Sequence, residues 1–473
     1  MSHKSSFTEG PILKPLLLFA GPIFLALFLQ AMYGAVDLLV VGQFAESADV
    51  SAVATGTQIM NTITYFMNSL AMGTTILLGQ QIGEGKPEEG GRTVGASIIL
   101  FACIALISTV LILIFAPQLA GLLNAPEEAF SRTVSYVRIC GGGTIVIISY
   151  NLIGSIFRGM GDSRTPLVTV AIACAINIAG DLLLVAVFHM GTRGAAIATV
   201  SAQAVSVIAS YFLIRKKQLP FEMKREFICP DGPVIKKVVG LGLPLALQNF
   251  LVNISFLVLL AIVNDMGLAQ SAGMGTAQKV CTFIMLVSLA FSQAMSAFVA
   301  HNYGAGRMDR ARKALYYGIG ASLVMAVFMF YLGFFHGDML TGIFSADPEV
   351  VQQGFLYLKA YAIDCFLTAI FFCFIGFYNG IGMTRYVMIM GILSAFCVRI
   401  PVSYFMSRME GATLFHIGLA TPCASLLQTI MCIAGMFYVK KKFGLGKYGS
   451  LSAEFPDELL QEPDDTETTA EDL

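Results

Sequence analysis

The chain has 473 residues, 56% of them hydrophobic and only 12% charged, with a formal net charge of -1 and a mean hydropathy of +0.75. Ordinary soluble domains carry about a quarter charged residues, so this composition excludes a soluble globular protein and points to an integral membrane protein. The balanced charge and the lack of a basic stripe interleaved with aromatics argue against nucleic acid as a partner.

Apolar stretches long enough to cross a bilayer, about 20 residues each, run over 16–41, 52–79, 94–116, 133–157, 166–188 and 194–214. A second set covers 238–263, 271–300, 314–335, 355–377, 386–406 and 414–438. The expected fold is therefore all-α, with twelve transmembrane helices. Most spans hold interior Gly, Ser, Thr or Asn, which suits close helix packing around a polar interior. The first apolar run is a full span without a small-residue cleavage site, so no cleavable signal peptide is expected. With the N-terminus inside, most of the 29 basic residues fall on one side, and the opposite side holds Arg132, Arg193 and Arg408. Cytoplasmic loops collect Lys and Arg, so the expectation is a multi-pass protein of the inner (plasma) membrane with both termini in the cytoplasm.

An internal repeat organises the spans. QIGEGK at 81–86 matches NYGAGR at 302–307, and FRGMGDS at 157–163 matches YNGIGMT at 378–384, both at an offset of 221 residues. Tyr136 and Tyr357 share that offset. Three matches at one spacing indicate duplication. Six helices per half is an even number, so the halves share one orientation and are expected to be related by a pseudo-twofold along the membrane normal. The expected domains are an N-terminal six-helix lobe (1–214), a basic cytoplasmic linker (215–237) with Pro220 and Pro230, a C-terminal six-helix lobe (238–442), and a tail (443–473). From Ser452 onward the tail is acidic and aperiodic, so it is expected to be disordered and cytoplasmic.

Residues 177–185 read NIAGDLLLV inside the fifth span. An aspartate at the centre of a span costs roughly 2.5 to 3.5 kcal/mol on insertion scales, so something must repay it. Asn177 and Asp181 are four apart and project from one helix face. Asp37 interrupts the first span near its external end, at a depth similar to Asp181. A carboxylate and an amide carbonyl on one face offer oxygen ligands to a hard cation. Two neighbouring acids can instead load and release protons. The plainer reading is that these groups bond neighbouring helices.

Other motifs point away from catalysis. GEGK at 83–86 lacks the spacing and following Ser or Thr of a phosphate loop. The five histidines (3, 189, 301, 336 and 416) lack paired helical spacing for zinc. Ten cysteines are scattered without a C-x-x-C pair, so neither a disulfide framework nor a redox motif follows. The 23 Met and 36 Phe either line an adaptable pocket or simply pack helices and face lipid. A membrane enzyme would need a nucleophile, a metal set or an acid–base dyad, and the acids alone do not supply one.

The pieces VDLLVVGQF, QQIGEGK, FRGMGDSRTP with NIAGDLLLV, RGAAIAT, GLPLALQN and RIPVSY resemble, in order and spacing, those of the multidrug and toxic compound extrusion (MATE) family, over residues 10–442. The resemblance implies a secondary active antiporter that exports organic, often cationic, compounds by alternating access while H+ or Na+ enters. It further implies that Asp37, Asn177, Asp181 and Thr199 gather around one site for a cation or proton, and that helix one bends at Pro22. The glutamate that NorM-type members carry about eight residues after the proline of GLP is replaced here by Val252 and Asn253. Asp364 lies about one turn before the place where those members carry their helix-ten aspartate, and Thr368 is nearer to it. The chain therefore resembles the DinF-like branch, with its N-lobe aspartates, more than the NorM type.

Asp364 has two open readings, facing a central substrate cavity or pairing with Lys359 or Arg399. Gln248, Asn253, Gln278 and Lys279 are further cavity candidates, with interhelical hydrogen bonding as the alternative. The expected partners are a small organic substrate and membrane lipid, with no cofactor beyond H+ or Na+, no metal beyond Na+ at the coupling site, and a monomer as the working unit. The runner-up function is a flippase for an amphipathic or lipid-linked substrate.

Overall fold

The computed structural model describes residues 7–442, and every regular element among them is helical. The first half contains α1 (Leu13–Phe44), α2 (Ser47–Gly83), α3 (Pro87–Leu122), α4 (Glu127–Gly142), α5 (Thr144–Gly159), α6 (Arg164–Asp181) and α7 (Gly191–Arg215). The second contains α8 (Gly232–Asn264), α9 (Leu268–Gly304), α10 (Met308–Phe335), α11 (Gly337–Gly342), α12 (Pro348–Gly380), α13 (Thr384–Ser394), α14 (Ile400–Ser407), α15 (Leu414–Gly418) and α16 (Ala420–Lys442). The expected tail at 443–473 lies outside the described residues.

Among the described residues ten helical segments are long and apolar enough to cross a membrane, or eleven when α4 and α5 count as one broken span. This is an integral multi-pass membrane protein. α2 is 37 residues long but falls short in apolarity because of its Thr, Asn and Gln content. The stretch expected as one span at 133–157 is instead two helices bent by 55°. The bend falls at Gly141, Gly142 and Gly143, where three missing side chains leave the backbone free to turn and little to hold it straight.

The repeated glycine motifs end helices in the same way in both halves. Gly85 and Gly306 take φ of 73° and 70°, and Gly161 and Gly382 take 78° and 84°. That left-handed conformation penalises any side chain with a Cβ. The next residue then closes the end: Lys86 N donates to the Gln81 carbonyl at 3.0 Å, Arg307 N to Asn302 at 2.8 Å, Asp162 N to Phe157 at 2.9 Å and Met383 N to Tyr378 at 2.8 Å. This is the bond that satisfies orphan carbonyls at a helix C-terminus. Asp162 also starts α6, accepting from Arg164 N and Thr165 N, each at 3.1 Å, and from Lys217 Nζ at 2.5 Å. Burial of Asp162 pushes its carboxyl up, but the bonds from Lys217 and Thr165 outweigh it and hold the group below the usual carboxylate range.

Three interior prolines, Pro22 in α1, Pro117 in α3 and Pro244 in α8, each remove a backbone donor from a long helix. α9 and α12 form the densest part of the second half, with 72% and 67% of their apolar windows buried against 17% for α3. The second half is therefore built around α9 and α12, whereas α3 leaves most of its apolar surface exposed.

Candidate functional site

α6 ends at Asp181, where the helix loosens into a π-helical turn over Leu182–Val187. Such turns widen a helix locally and recur at functional sites. Asp181 is fully buried, and Asn177, one turn earlier, and Asp37 of α1 are buried with it. The carboxyls of Asp37 and Asp181 face one another directly. Asn177 Nδ2 donates to Thr199 Oγ1 of α7 at 3.3 Å. The four residues expected to meet do so, at the junction of α1, α6 and α7.

What several of their oxygens lack is a hydrogen-bond donor. Oδ1 of Asp37, Oδ1 of Asn177 and both carboxyl oxygens of Asp181 accept no hydrogen bond among the described residues. No Lys or Arg acts on either carboxyl among them. A pair of charges buried together without a counter-charge is costly. Clustered oxygens of this kind suit a proton or a small hard cation, either of which removes that cost. Tyr33, Tyr136 and Cys140 stand close enough to Asp37 to feel its charge, and the Tyr136 hydroxyl bonds Thr57 Oγ1 at 3.0 Å.

A second cluster, not singled out in the sequence, lies near the start of α2. Asp49 accepts from Arg132 Nη1 at 2.6 Å, Thr192 N at 3.1 Å and Thr192 Oγ1 at 2.5 Å. Arg132 also pairs with Glu46 at 2.5 Å. These groups tie the starts of α2, α4 and α7 together and line a cavity of about 570 Å³ with His189 and Arg193. The one sequence signal was Arg132 and Arg193 on a side otherwise poor in basic residues.

The second half treats its buried acid differently. Asp364 of α12 accepts from Thr368 Oγ1 at 2.9 Å, bonds Ser425 and feels the charge of Arg399. Arg399 closes a π-helical turn at Ala395–Arg399, donates to Ser255 Oγ at 2.8 Å and lies 4.2 Å from the centre of the Phe256 ring. Lys359, the other candidate partner, lies over Phe355 at 4.3 Å.

The remaining candidates do not form a cluster. Gln248 is buried against Gly391, Asn253 Nδ2 donates to the Asn249 carbonyl of its own helix at 2.8 Å, and Lys279 lies over Phe344. The Gln278 carbonyl accepts from Thr282 Oγ1 at 2.9 Å. Pro22 lies in α1 about four turns before Asp37.

The sequence model of the MatE family matches residues 22–183 and 244–405. This chain belongs to the MatE family. The first matched stretch of the MatE chain opens at Pro22 and contains Asp37, Asn177 and Asp181, and the second opens at Pro244 and contains Asp364 and Arg399.

A probable multidrug resistance protein of Bacillus subtilis, YpnP, is 27% identical over 433 residues, covering 91% of this chain and 96% of that protein. The multidrug export protein MepA of Staphylococcus aureus is 22% identical over 409 residues, covering 86% and 90%. Among solved structures, a MOP superfamily transporter from Pyrococcus furiosus superposes with a TM-score of 0.87 at 18% identity, covering 95% of this chain and all of that one. An outward-facing multidrug resistance MATE family transporter gives 0.86 at 18% identity over 94% and 99%. At that identity the likeness speaks for the MatE fold alone.

Proposed function

We propose that this MatE protein is a secondary active antiporter that exports organic, often cationic, drugs or metabolites in exchange for H+ or Na+ by alternating access. The observation that carries this reading is the set of buried, unpartnered oxygens on Asp37, Asn177 and Asp181. They call for a cation from outside the protein's own side chains. The printed names of YpnP and MepA, a probable multidrug resistance protein and a multidrug export protein, support the drug class.

In this reading twelve spans form two six-helix lobes, with α2 and the broken α4–α5 pair each crossing once. The basic loops and both termini face the cytoplasm of the plasma membrane. The N-lobe aspartates and the Val252 and Asn253 in place of a glutamate favour the DinF-like branch over the NorM type. It works as a monomer and needs no cofactor beyond the coupling ion.

The mechanism follows from the elements that meet at the site. A cation or proton at Asp37 and Asp181 removes the repulsion between α1 and α6. α1 lacks a backbone donor at Pro22, so bending it there is cheap. Ion occupancy thereby reshapes α1, changes drug affinity between the lobes and allows them to rock. Exporting a monocation against a tenfold gradient costs about 1.4 kcal/mol, and about 2.3 kcal/mol more against 100 mV. One entering proton cancels the electrical part, and loading both acids lets the potential contribute as well.

The test is ethidium efflux from proteoliposomes holding purified protein, under an imposed pH gradient and then a sodium gradient, beside Asp181→Asn. Efflux driven by one gradient and lost in the variant is the expected result. Absence of efflux under both gradients, with lipid movement in its place, would replace this reading with a flippase.

A further inference from the structure

α2 ends at Gly83 and α9 at Gly304, positions 221 apart, and the two helix ends cross in direct backbone contact. A Cβ on Gly83 would collide with the His301 carbonyl, and one on Gly304 with the Gln80 carbonyl. Only glycine lets the two backbones approach this closely.

Two side chains reach across the same crossing. Gln80 Nε2 donates to the Gly380 carbonyl at 2.9 Å, and His301 Nε2 lies 2.8 Å from the Gly159 carbonyl. A carbonyl only accepts, so the His301 proton on this side sits on Nε2. Gly159 is the last residue of α5 and Gly380 the last of α12. Carbonyls in a last helical turn have no partner within their own helix, and no backbone N–H of the following turns reaches either one. Gln80 and His301 are 221 apart, and so are Gly159 and Gly380. Each half therefore sends one buried side chain to the orphan carbonyl that ends the other half's fourth expected span. The Phe7 ring covers the His301 arm at 5.3 Å and packs on Phe298 and Phe19, so it touches both halves.

We infer that Gln80 and His301 are the two arms of a reciprocal latch that holds the lobes shut at the basic-loop face, and that both must release before the site can open to that side. The inference rests on the alternating-access reading. Hydrogen bonds suit a reversible closure, because water takes up the freed amide, imidazole and carbonyls once the seam opens. Each arm then biases the equilibrium by roughly fivefold, enough to favour closure and small enough to be overcome in every cycle.

Hydrogen–deuterium exchange on the full-length protein in lipid nanodiscs tests the latch without depending on transport. Gln80→Ala and His301→Ala are each expected to speed exchange roughly fivefold at both arms, including the arm left intact, and to multiply when combined. His301→Gln, whose amide can donate as Gln80 does, should stay within about twofold of the unaltered protein. Faster exchange confined to the substituted arm, or equal loosening in His301→Gln and His301→Ala, would overturn the inference. Ethidium efflux measured on the same preparations keeps the two ideas apart. Its absence in the unaltered protein would sink antiport, and the exchange pattern decides the latch.

Discussion

The first half of the molecule buries its acids beside each other, whereas the second buries Asp364 within reach of Arg399. Asp37 and Asp181 have no basic neighbour, and three of their four carboxyl oxygens lack a hydrogen bond among the described residues. Asp364 is bonded by Thr368 and Ser425 and feels the charge of Arg399, which rests on Ser255 and Phe256, although Asp364 Oδ1 also lacks a hydrogen bond among the described residues. The two halves share motifs at one offset, yet the first sets two acids together with no cation acting on them and the second sets a single acid in the field of Arg399. Substitutions should therefore have opposite signatures in the two halves. In the second they should cost stability, and in the first they should cost transport.

The largest effect is expected at Arg399. Arg399→Met takes away the buried cation that acts on Asp364, together with the Ser255 hydrogen bond and the Phe256 contact, and should destabilise the protein by about 3 kcal/mol, with part of that recovered when Asp364→Asn is added. Thermal unfolding in detergent reads this, and a stable single variant would break the comparison. Next comes Asp181→Asn, expected to lower gradient-driven efflux roughly 100-fold, equivalent to about 2.7 kcal/mol. Its thermal stability should be equal or higher, because a like charge has been removed. A fall in stability matching the fall in efflux would mean that the N-terminal acids are structural after all.

Asp162 provides an ordinary carboxylate for contrast. Its group is held below the usual range, so its contribution is present above the unfolded value near 3.9 and is lost as pH falls through the lower folded value. Asp162→Asn should cost about 1 to 2 kcal/mol at pH 7, with the gap to the unaltered protein closing below about pH 4. A gap that stays constant across that range would contradict this role. The smallest effect is expected from Thr199→Val, which takes the partner from Asn177 Nδ2 and should raise the half-saturating ion concentration about fivefold. An unchanged ion requirement would remove Thr199 from the site.

Much of the N-terminal site was legible because an acid in a span must be repaid, and four-residue spacing puts Asn177 and Asp181 on one face. Thr199 and the meeting of α1 with α6 came from the family resemblance, since periodicity alone does not say which helices touch. Which cation acts on Asp364 was not legible, because Lys359 is nearer in sequence while the charge that reaches the acid is that of Arg399. The 55° break between α4 and α5 was hidden because glycines inside a span also serve helix packing. The π-helical turn at Leu182–Val187 left no trace in a uniformly apolar LLLVAV. The offset of 221 aligned the halves without showing that Gln80 and His301 cross between them.

The most direct test of the central claim is to count coupling ions moved when ethidium is added to proteoliposomes without any imposed gradient, using a pH-sensitive dye and radioactive sodium in turn. The N-terminal acids as coupling site predict drug-dependent movement of one ion that disappears in Asp181→Asn and persists in Asp364→Asn with Arg399→Met. Equal ion movement in Asp181→Asn and the unaltered protein, or its loss only in the second-half variant, would contradict the account.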